Sequence, residues 1–421
     1  VSLRAFIIRF WVLIATLIFL LPWSAAAISN QQCLRCHGDR QLVKVLPDGM
    51  KVSLFTDANL LTRSKHAKLA CVNCHHDIRA IPHDPKLAKA DCVNCHNREN
   101  LEYRTSIHGK KYAQGDADVP RCQTCHGSHQ ILPVKDPRSA VFPSNLVKVC
   151  LRCHTDAKMT AQHSQMPGIA MIKSYSSSAH GKALSGAGLT VTAICTSCHG
   201  THNMTPHDDP TSSVNKMNIP ATCGKCHLGI LNVYKESIHG KALLVQKIKD
   251  APACTDCHGE HIIAASTEAN SKVAPKNIPK TCSACHDVEG IVGKYGIASK
   301  RLETYEDSYH GTANKFGRAV VANCASCHGY HDIRPSYDPQ SSISKANIPK
   351  TCGKCHPKAS DKFAQGNIHI QATKESSPGV FYVRTFYIWF ISILMVCFLT
   401  YMGFEIYGHL RRRGEKKHEP K

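Results

Sequence analysis

Two stretches of this chain are continuously apolar, and they lie at its two ends; the long region between them is polar and interrupted by Pro and Gly. At the start, Arg4 and Arg9 lead an apolar run from Phe10 to Leu21, and the small residues Ser24-Ala25-Ala26-Ala27 follow. A charged lead, an apolar middle and an A-x-A-type site predict a secretory signal peptide over 1–27, removed at or near Ala27. Retention as a signal anchor is the alternative, although Ile7 to Pro22 is slightly short of a span of roughly 20 residues. Near the other end, Phe386 to Phe404 carries no charge and is long enough to cross a hydrocarbon core. Arg384 and Glu405 sit at its edges, where long side chains reach the headgroups. Phe381, Tyr382, Tyr387 and Trp389 mark one interface, and Tyr401 and Tyr407 the other. Arg411-Arg412-Arg413, Lys416 and Lys417 follow, so the pattern predicts a transmembrane helix over 380–408 and a basic cytoplasmic tail over 409–421. Cys397, in mid-span, is expected to be a small apolar filler.

The region between the two ends, 28–379, carries one motif eleven times. Its copies are Cys33-x-x-Cys36-His37, Cys71-x-x-Cys74-His75, Cys92-x-x-Cys95-His96, Cys122-x-x-Cys125-His126, Cys150-x-x-Cys153-His154 and Cys195-x-x-Cys198-His199. The remaining five are Cys223-x-x-Cys226-His227, Cys254-x-x-Cys257-His258, Cys282-x-x-Cys285-His286, Cys324-x-x-Cys327-His328 and Cys352-x-x-Cys355-His356. Together they use all but one of the 23 cysteines. On a helical turn, residues at i, i+3 and i+4 share a face. Two thiols can then bond the vinyl groups of a porphyrin while the imidazole reaches its iron from the proximal side, which is the attachment pattern of c-type haem. A zinc site needs four ligands and no fixed His after the second Cys, and a redox Cys pair needs no His there either. Eleven covalently bound haem c groups are therefore expected.

Roughly 350 residues for eleven haems leave about 32 each, too few to build a conventional apolar core around every one. The expected fold is thus mostly short α-helices and loops wrapped around a string of haems, with little β-structure and one C-terminal transmembrane helix. The formal net charge of +21 would by itself suggest a nucleic-acid partner. Two propionates per haem supply the counter-charge instead, with anionic lipid near the tail, so no nucleic acid is expected.

The chain also repeats. The unit reads Ser-x-His-Gly, Cys-x-x-Cys-His-Gly-x-His, Asp-Pro, then Asn-Ile-Pro-x-Thr-Cys-x-x-Cys-His. Full or worn copies span Lys65–His96, Ser106–His154, Ser178–His227, Ser237–His286 and Ser308–His356. The Cys33 motif precedes these five two-haem units, and Asn367-Ile368-His369 follows them. Pro220, Pro279 and Pro349 precede second motifs, where a fixed φ suits a helix start. Gly109, Gly181, Gly240 and Gly311 are expected to let backbone approach a flat porphyrin.

The repeat supplies two families of candidates for the distal side of each iron. One comprises the Ser-x-His-Gly imidazoles His66, His108, His180, His239 and His310, with the terminal His369. The other lies behind a haem motif: His129, His202, His261 and His331, with His76 aligned through the His-Asp-Ile-Arg shared with His331–Arg334. His129 follows proximal His126 by three residues and cannot reach the opposite face of the same haem, so it is expected to serve a neighbour. His83, His163 and His207 exceed the count, and one of them could replace a candidate. His409 and His418 fall on the cytoplasmic side. Two imidazoles leave an iron with no vacant position, which suits electron carriage better than substrate chemistry.

With its repeated Cys-x-x-Cys-His-Gly-x-His and Ser-x-His-Gly elements, the exported region resembles the multihaem c-type cytochromes of anaerobically respiring bacteria. Its layout of signal peptide, haem string and single C-terminal span resembles the cytochrome c subunit of inner-membrane quinol-oxidising complexes. The resemblance implies an electron-transfer subunit rather than a free-standing enzyme. It implies a single-pass position in the cytoplasmic membrane, with the haem domain in the periplasm and the C-terminus inside. The implied partners are an integral membrane quinone-reactive subunit, of cytochrome b type or similar, and periplasmic electron carriers. The competing reading is a terminal reductase for a nitrogen or sulfur oxyanion, acting at an open haem. Related nitrite reductases often replace one motif His by Lys, and no Cys-x-x-Cys-Lys occurs here.

Overall fold

A computed structural model describes residues 7, 10, 11, 28–163, 166, 169–318, 320–362 and 369–415. Most of the expected signal peptide, Asn367-Ile368 and Lys416-Lys417 lie outside the described residues. As expected, the protein is built from short helices. In the motif-bearing region the described helices reach at most the 12 residues of Pro143–His154. The described β-structure is one hairpin, in which β1 (Val43–Val45) runs antiparallel to β2 (Lys51–Ser53) with Lys44 opposite Val52. The chain divides into two compact units, Val1–Lys173 with Ala183–Ser213, and Ser174–Lys182 with Val214–Lys421. The first holds the six motifs from Cys33 to Cys195, and the second holds the five from Cys223 to Cys352.

Each Ser-x-His-Gly element is a helix start locked to the turn before it. The Ser237 hydroxyl accepts from the Gly240 N–H at 3.0 Å, capping the new helix, and donates to the Tyr234 carbonyl at 2.7 Å. Ser106, Ser178 and Ser308 repeat both bonds with Gly109 and Tyr103, Gly181 and Tyr175, and Gly311 and Tyr305. Ser106, Ser178 and Ser237 are buried and Ser308 is half-buried, so at the first three losing a partner would leave a buried polar group unpaired. The glycines serve this corner: a Cβ on Gly240 would lie 1.9 Å from the Tyr234 carbonyl oxygen, with near-identical clashes at Gly109, Gly181 and Gly311. What the missing side chain admits is therefore the preceding turn's backbone, a role that the sequence pattern did not show.

The tyrosines of these corners reach forward. The Tyr103, Tyr234 and Tyr305 hydroxyls donate to the carbonyls of Pro120, Pro252 and Ala322 at 2.8, 2.7 and 3.0 Å. Each acceptor stands two residues before the first cysteine of a motif, so the corner fixes where that motif begins. Cys122–His126, Cys195–His199, Cys254–His258 and Cys324–His328 are then single five-residue helices. Each ends on a glycine with φ between 80° and 86°, a left-handed conformation that turns the chain out of the helix and that other residues rarely adopt.

The remaining repeat residues hold the approach to the second motif. Asn277 donates from Nδ2 to the carbonyls of Ala269 and Ser271, both at 2.8 Å, and Asn347 does the same to Pro339 and Ser341. Pro220, Pro279 and Pro349 occupy the first turn of Ile219–Gly224, Ile278–His286 and Ile348–Gly353, as their fixed φ predicts. The protein-only apolar core is thin: Tyr234, Leu243, Ala251 and Ala253 form one small cluster.

Pro378–Glu415 is a single helix of 38 residues, about 57 Å long at ~1.5 Å per residue. Its stretch Pro378–Arg413 is long and apolar enough to cross a membrane, and its most apolar window is not buried in the protein. The Thr385 and Thr400 hydroxyls donate back to the Phe381 and Val396 carbonyls, so these two polar groups are satisfied within the helix. Arg384 pairs with Asp307 at 3.5 Å.

The corner geometry makes opposite predictions for two helical glycines. Gly240→Ala should destabilise the protein by about 1–3 kcal/mol through backbone overlap. Gly229→Ala, where a Cβ meets nothing within 4 Å, should be neutral or stabilising by up to about 1 kcal/mol. Denaturant unfolding followed by far-ultraviolet circular dichroism measures both, and equal midpoints for the two variants would count against the corner.

Candidate haem-binding site

Motif imidazoles stand opposite a second imidazole at ring-centre separations of 5.9–6.4 Å in ten pairs, from His37 to His356. An imidazole nitrogen binds a first-row metal at ~2.0–2.1 Å and its ring centre lies about 1.1 Å behind, so two rings trans on one ion are ~6.3 Å apart. The donor sets thus fit a haem iron between them. Aromatic rings can pair at such distances without a metal. Here, however, every one of these pairs joins a motif His to a His outside a motif.

The pairs follow two rules. A Ser-x-His-Gly imidazole faces the second motif of its own repeat: His66 with His96, His108 with His154, His180 with His227, His239 with His286, and His310 with His356. The imidazole behind a first motif faces the first motif of the preceding repeat: His129 with His75, His202 with His126, and His331 with His258. His369 takes that role for His328. His129 therefore faces a neighbouring motif, not its own.

The remaining pair differs from the sequence expectation. His83, not His76, stands opposite His37, at 5.9 Å with the rings 8° from parallel. His76 is exposed. It follows proximal His75 directly, whereas His331 follows His328 by three residues across Gly329 and Tyr330; without those two residues the imidazole is held back beside its own motif. His83, in Ile81-Pro82-His83-Asp84-Pro85, lies far enough along the chain to face His37. Of the other surplus imidazoles, His207 is exposed, and His163 turns its Nδ1 toward the Asp116 carboxylate at 3.6 Å.

The corners bring the two families together. The N–H after each corner serine bonds the residue two beyond a distal candidate of the next repeat. Lys65 donates to Ile131, Ile107 to Met204, Ala179 to Ile263 and Ile238 to Ile333, at 2.7–2.8 Å. One backbone bond thus ties His66 to His129, His108 to His202, His180 to His261 and His239 to His331. The tyrosines and this cross-link were missed in the sequence, although Tyr-x-x-Ser-x-His-Gly recurs in four repeats.

Hydrogen bonds on the far side of the ring fix several tautomers. His37 donates from Nδ1 to the Leu54 carbonyl at 2.9 Å, and His83 to the Asp84 carbonyl at 2.8 Å. The Thr304 hydroxyl, itself donating to Lys300, accepts from His369 at 3.0 Å. A carbonyl can only accept, so Nδ1 carries the proton and Nε2 keeps its lone pair for a metal. Burial, then the facing imidazole, brings His108, His239 and His328 down to about 4, so these rings are neutral at physiological pH.

The motifs also meet one another in chain order within each unit. The first cysteines interact between motifs at Cys33 and Cys71, Cys92 and Cys122, Cys150 and Cys195, Cys223 and Cys254, and Cys282 and Cys324. Cys74 with Cys92, Cys125 with Cys153, Cys257 with Cys285 and Cys327 with Cys352 are near enough to influence one another electrostatically. Within each unit, consecutive motifs are therefore neighbours in space.

No curated relative matches the chain. Residues 40–141, about a quarter of its length and including the motifs at Cys71, Cys92 and Cys122, match the class III cytochrome c family. With Cys pairs at haem-attachment spacing repeated along a helix-rich chain, that match supports a multihaem c-type cytochrome, which binds haem c covalently and transfers electrons.

Proposed function

We propose that this protein is a membrane-anchored electron conduit holding eleven c-type haems, each between two imidazoles, with its haem domain in the periplasm. The facing imidazole pairs carry this reading. Bound haem supplies a reversible one-electron change at iron, and the chain's part is to close both axial positions and keep successive sites adjacent. His37 with His83 and His126 with His202 exemplify the first task; the contacts between neighbouring motif cysteines serve the second. Two strong-field nitrogen ligands exclude substrate from the metal, which favours carriage over reduction of an oxyanion.

The long apolar helix supports the anchor. Its Arg384 pairs with Asp307, immediately before the Ser308 corner whose His310 faces His356. The Cys352 haem is therefore the proposed exchange point at the membrane. The apolar run Phe386–Phe404 contains no His to hold a haem of its own, so a separate integral membrane subunit would connect this point to quinone. Periplasmic carriers would receive electrons at motifs earlier in the chain.

Intact mass of the mature protein should show eleven haem additions and loss of about 27 residues; nine or fewer haems would count against the reading. In the ferric state all irons should be low-spin by electron paramagnetic resonance. His83→Ala should convert one haem, on Cys33, to a high-spin species that binds carbon monoxide when reduced, whereas His76→Ala should leave every haem low-spin. The reverse outcome would return His76 to the ligand set. The purified chain should be reducible by dithionite yet inert to a menaquinol analogue until its membrane partner is added; rapid quinol reduction of the isolated chain would refute the two-component scheme.

A further inference from the structure

We infer that Glu102 sets the reduction potential of the haem held by Cys122 and Cys125 between His126 and His202, making it a low-potential site in the series. This rests on the reading that these two imidazoles are its axial ligands. Glu102 Oε2 lies 3.4 Å from His202 Nδ1, and the carboxylate accepts from the ring N–H. In the three other far-side bonds described above, at His37, His83 and His369, the acceptor is a neutral carbonyl or hydroxyl. The difference matters because a carboxylate draws the Nδ1 proton toward itself and makes Nε2 a stronger donor. A stronger, more anionic ligand stabilises ferric over ferrous iron and so lowers the potential.

The carboxylate is held in place on both sides. Glu102 lies on the helix Asn97–Thr105, next to Tyr103, whose hydroxyl binds Pro120 just before Cys122. The corner that ends this helix is bonded through Ile107 to Met204, two residues beyond His202. The helix that positions the motif therefore also positions the charge behind its distal ligand. Glu99, one turn earlier on the same face, lies 3.9 Å from His96 Nδ1, but it also pairs with Arg98 at 3.0 Å. Its charge is compensated there, whereas no Lys or Arg is ion-paired with Glu102 among the described residues. Both Glu102 and His202 are partly exposed, so solvent reduces the effect without changing its sign.

The test is a potentiometric titration of the detergent-solubilised full-length protein, followed by absorbance and by low-spin electron paramagnetic resonance. Glu102→Gln keeps the shape and an acceptor but removes the charge. It should move one component, about one-eleventh of the total amplitude, to higher potential, while Glu102→Asp, which keeps the charge, moves it less. Glu99→Gln serves as the compensated control and should produce a smaller shift. An unmoved titration in Glu102→Gln, a shift downward, or an equal shift in Glu99→Gln overturns the inference. Haem counted as pyridine haemochrome on the same samples separates the two readings. Eleven haems with no shift leave the carrier intact and remove the role of Glu102; peptide mass showing no haem on Cys122 would overturn both.

Discussion

Repeatedly along this chain two imidazoles face each other across a nearly constant gap, and many of its other features serve that arrangement. A motif supplies the first ring locally, because its His is one helical turn from its cysteines. The second ring comes from a distant segment: His202 reaches His126 and His331 reaches His258 from the following repeat. Ordering such loops costs conformational entropy that a thin protein core cannot offset alone. The cluster of Tyr234, Leu243, Ala251 and Ala253 is small for a chain of 421 residues, so ligation and haem burial would provide much of the remaining stabilisation.

The tyrosine-serine-glycine corner makes the arrangement reproducible. Ser237 caps one helix and binds the end of the previous one, Gly240 permits the contact, and Tyr234 fixes the start of the next motif at Pro252. The N–H of Ile238 then joins this corner to Ile333 beside the next distal loop. Four groups within seven residues thus link the approach to one motif with the non-motif imidazoles of two facing pairs. Repetition of this device explains how short helices with little sheet maintain a regular series of sites.

Sequence and structure part at particular residues. Alignment of His-Asp-Ile-Arg favoured His76, but alignment measures similarity along the chain, whereas ligation depends on where the ring arrives in space. The shorter connection after His75 leaves His76 beside its own motif and gives His83 the reach to His37. The recurring glycines were visible, but their role was not, since a close backbone approach to Tyr carbonyls has no signature until the turn is folded. Glu102 was equally silent: nothing in its helix announces that its carboxylate meets a ring from the next repeat.

By itself the sequence determined where the Cys-x-x-Cys-His motifs lie, the repeat that carries them and the apolar C-terminal helix, because each depends on residues a turn apart or on an uninterrupted run. The tertiary structure decided which imidazole faces which, what the corner residues hold together, and which far-side bonds meet charge instead of a neutral acceptor. Those outcomes depend on loops whose ends are fixed by bonds between repeats, such as Ile107 to Met204, and a distance across such loops is not encoded in any local spacing.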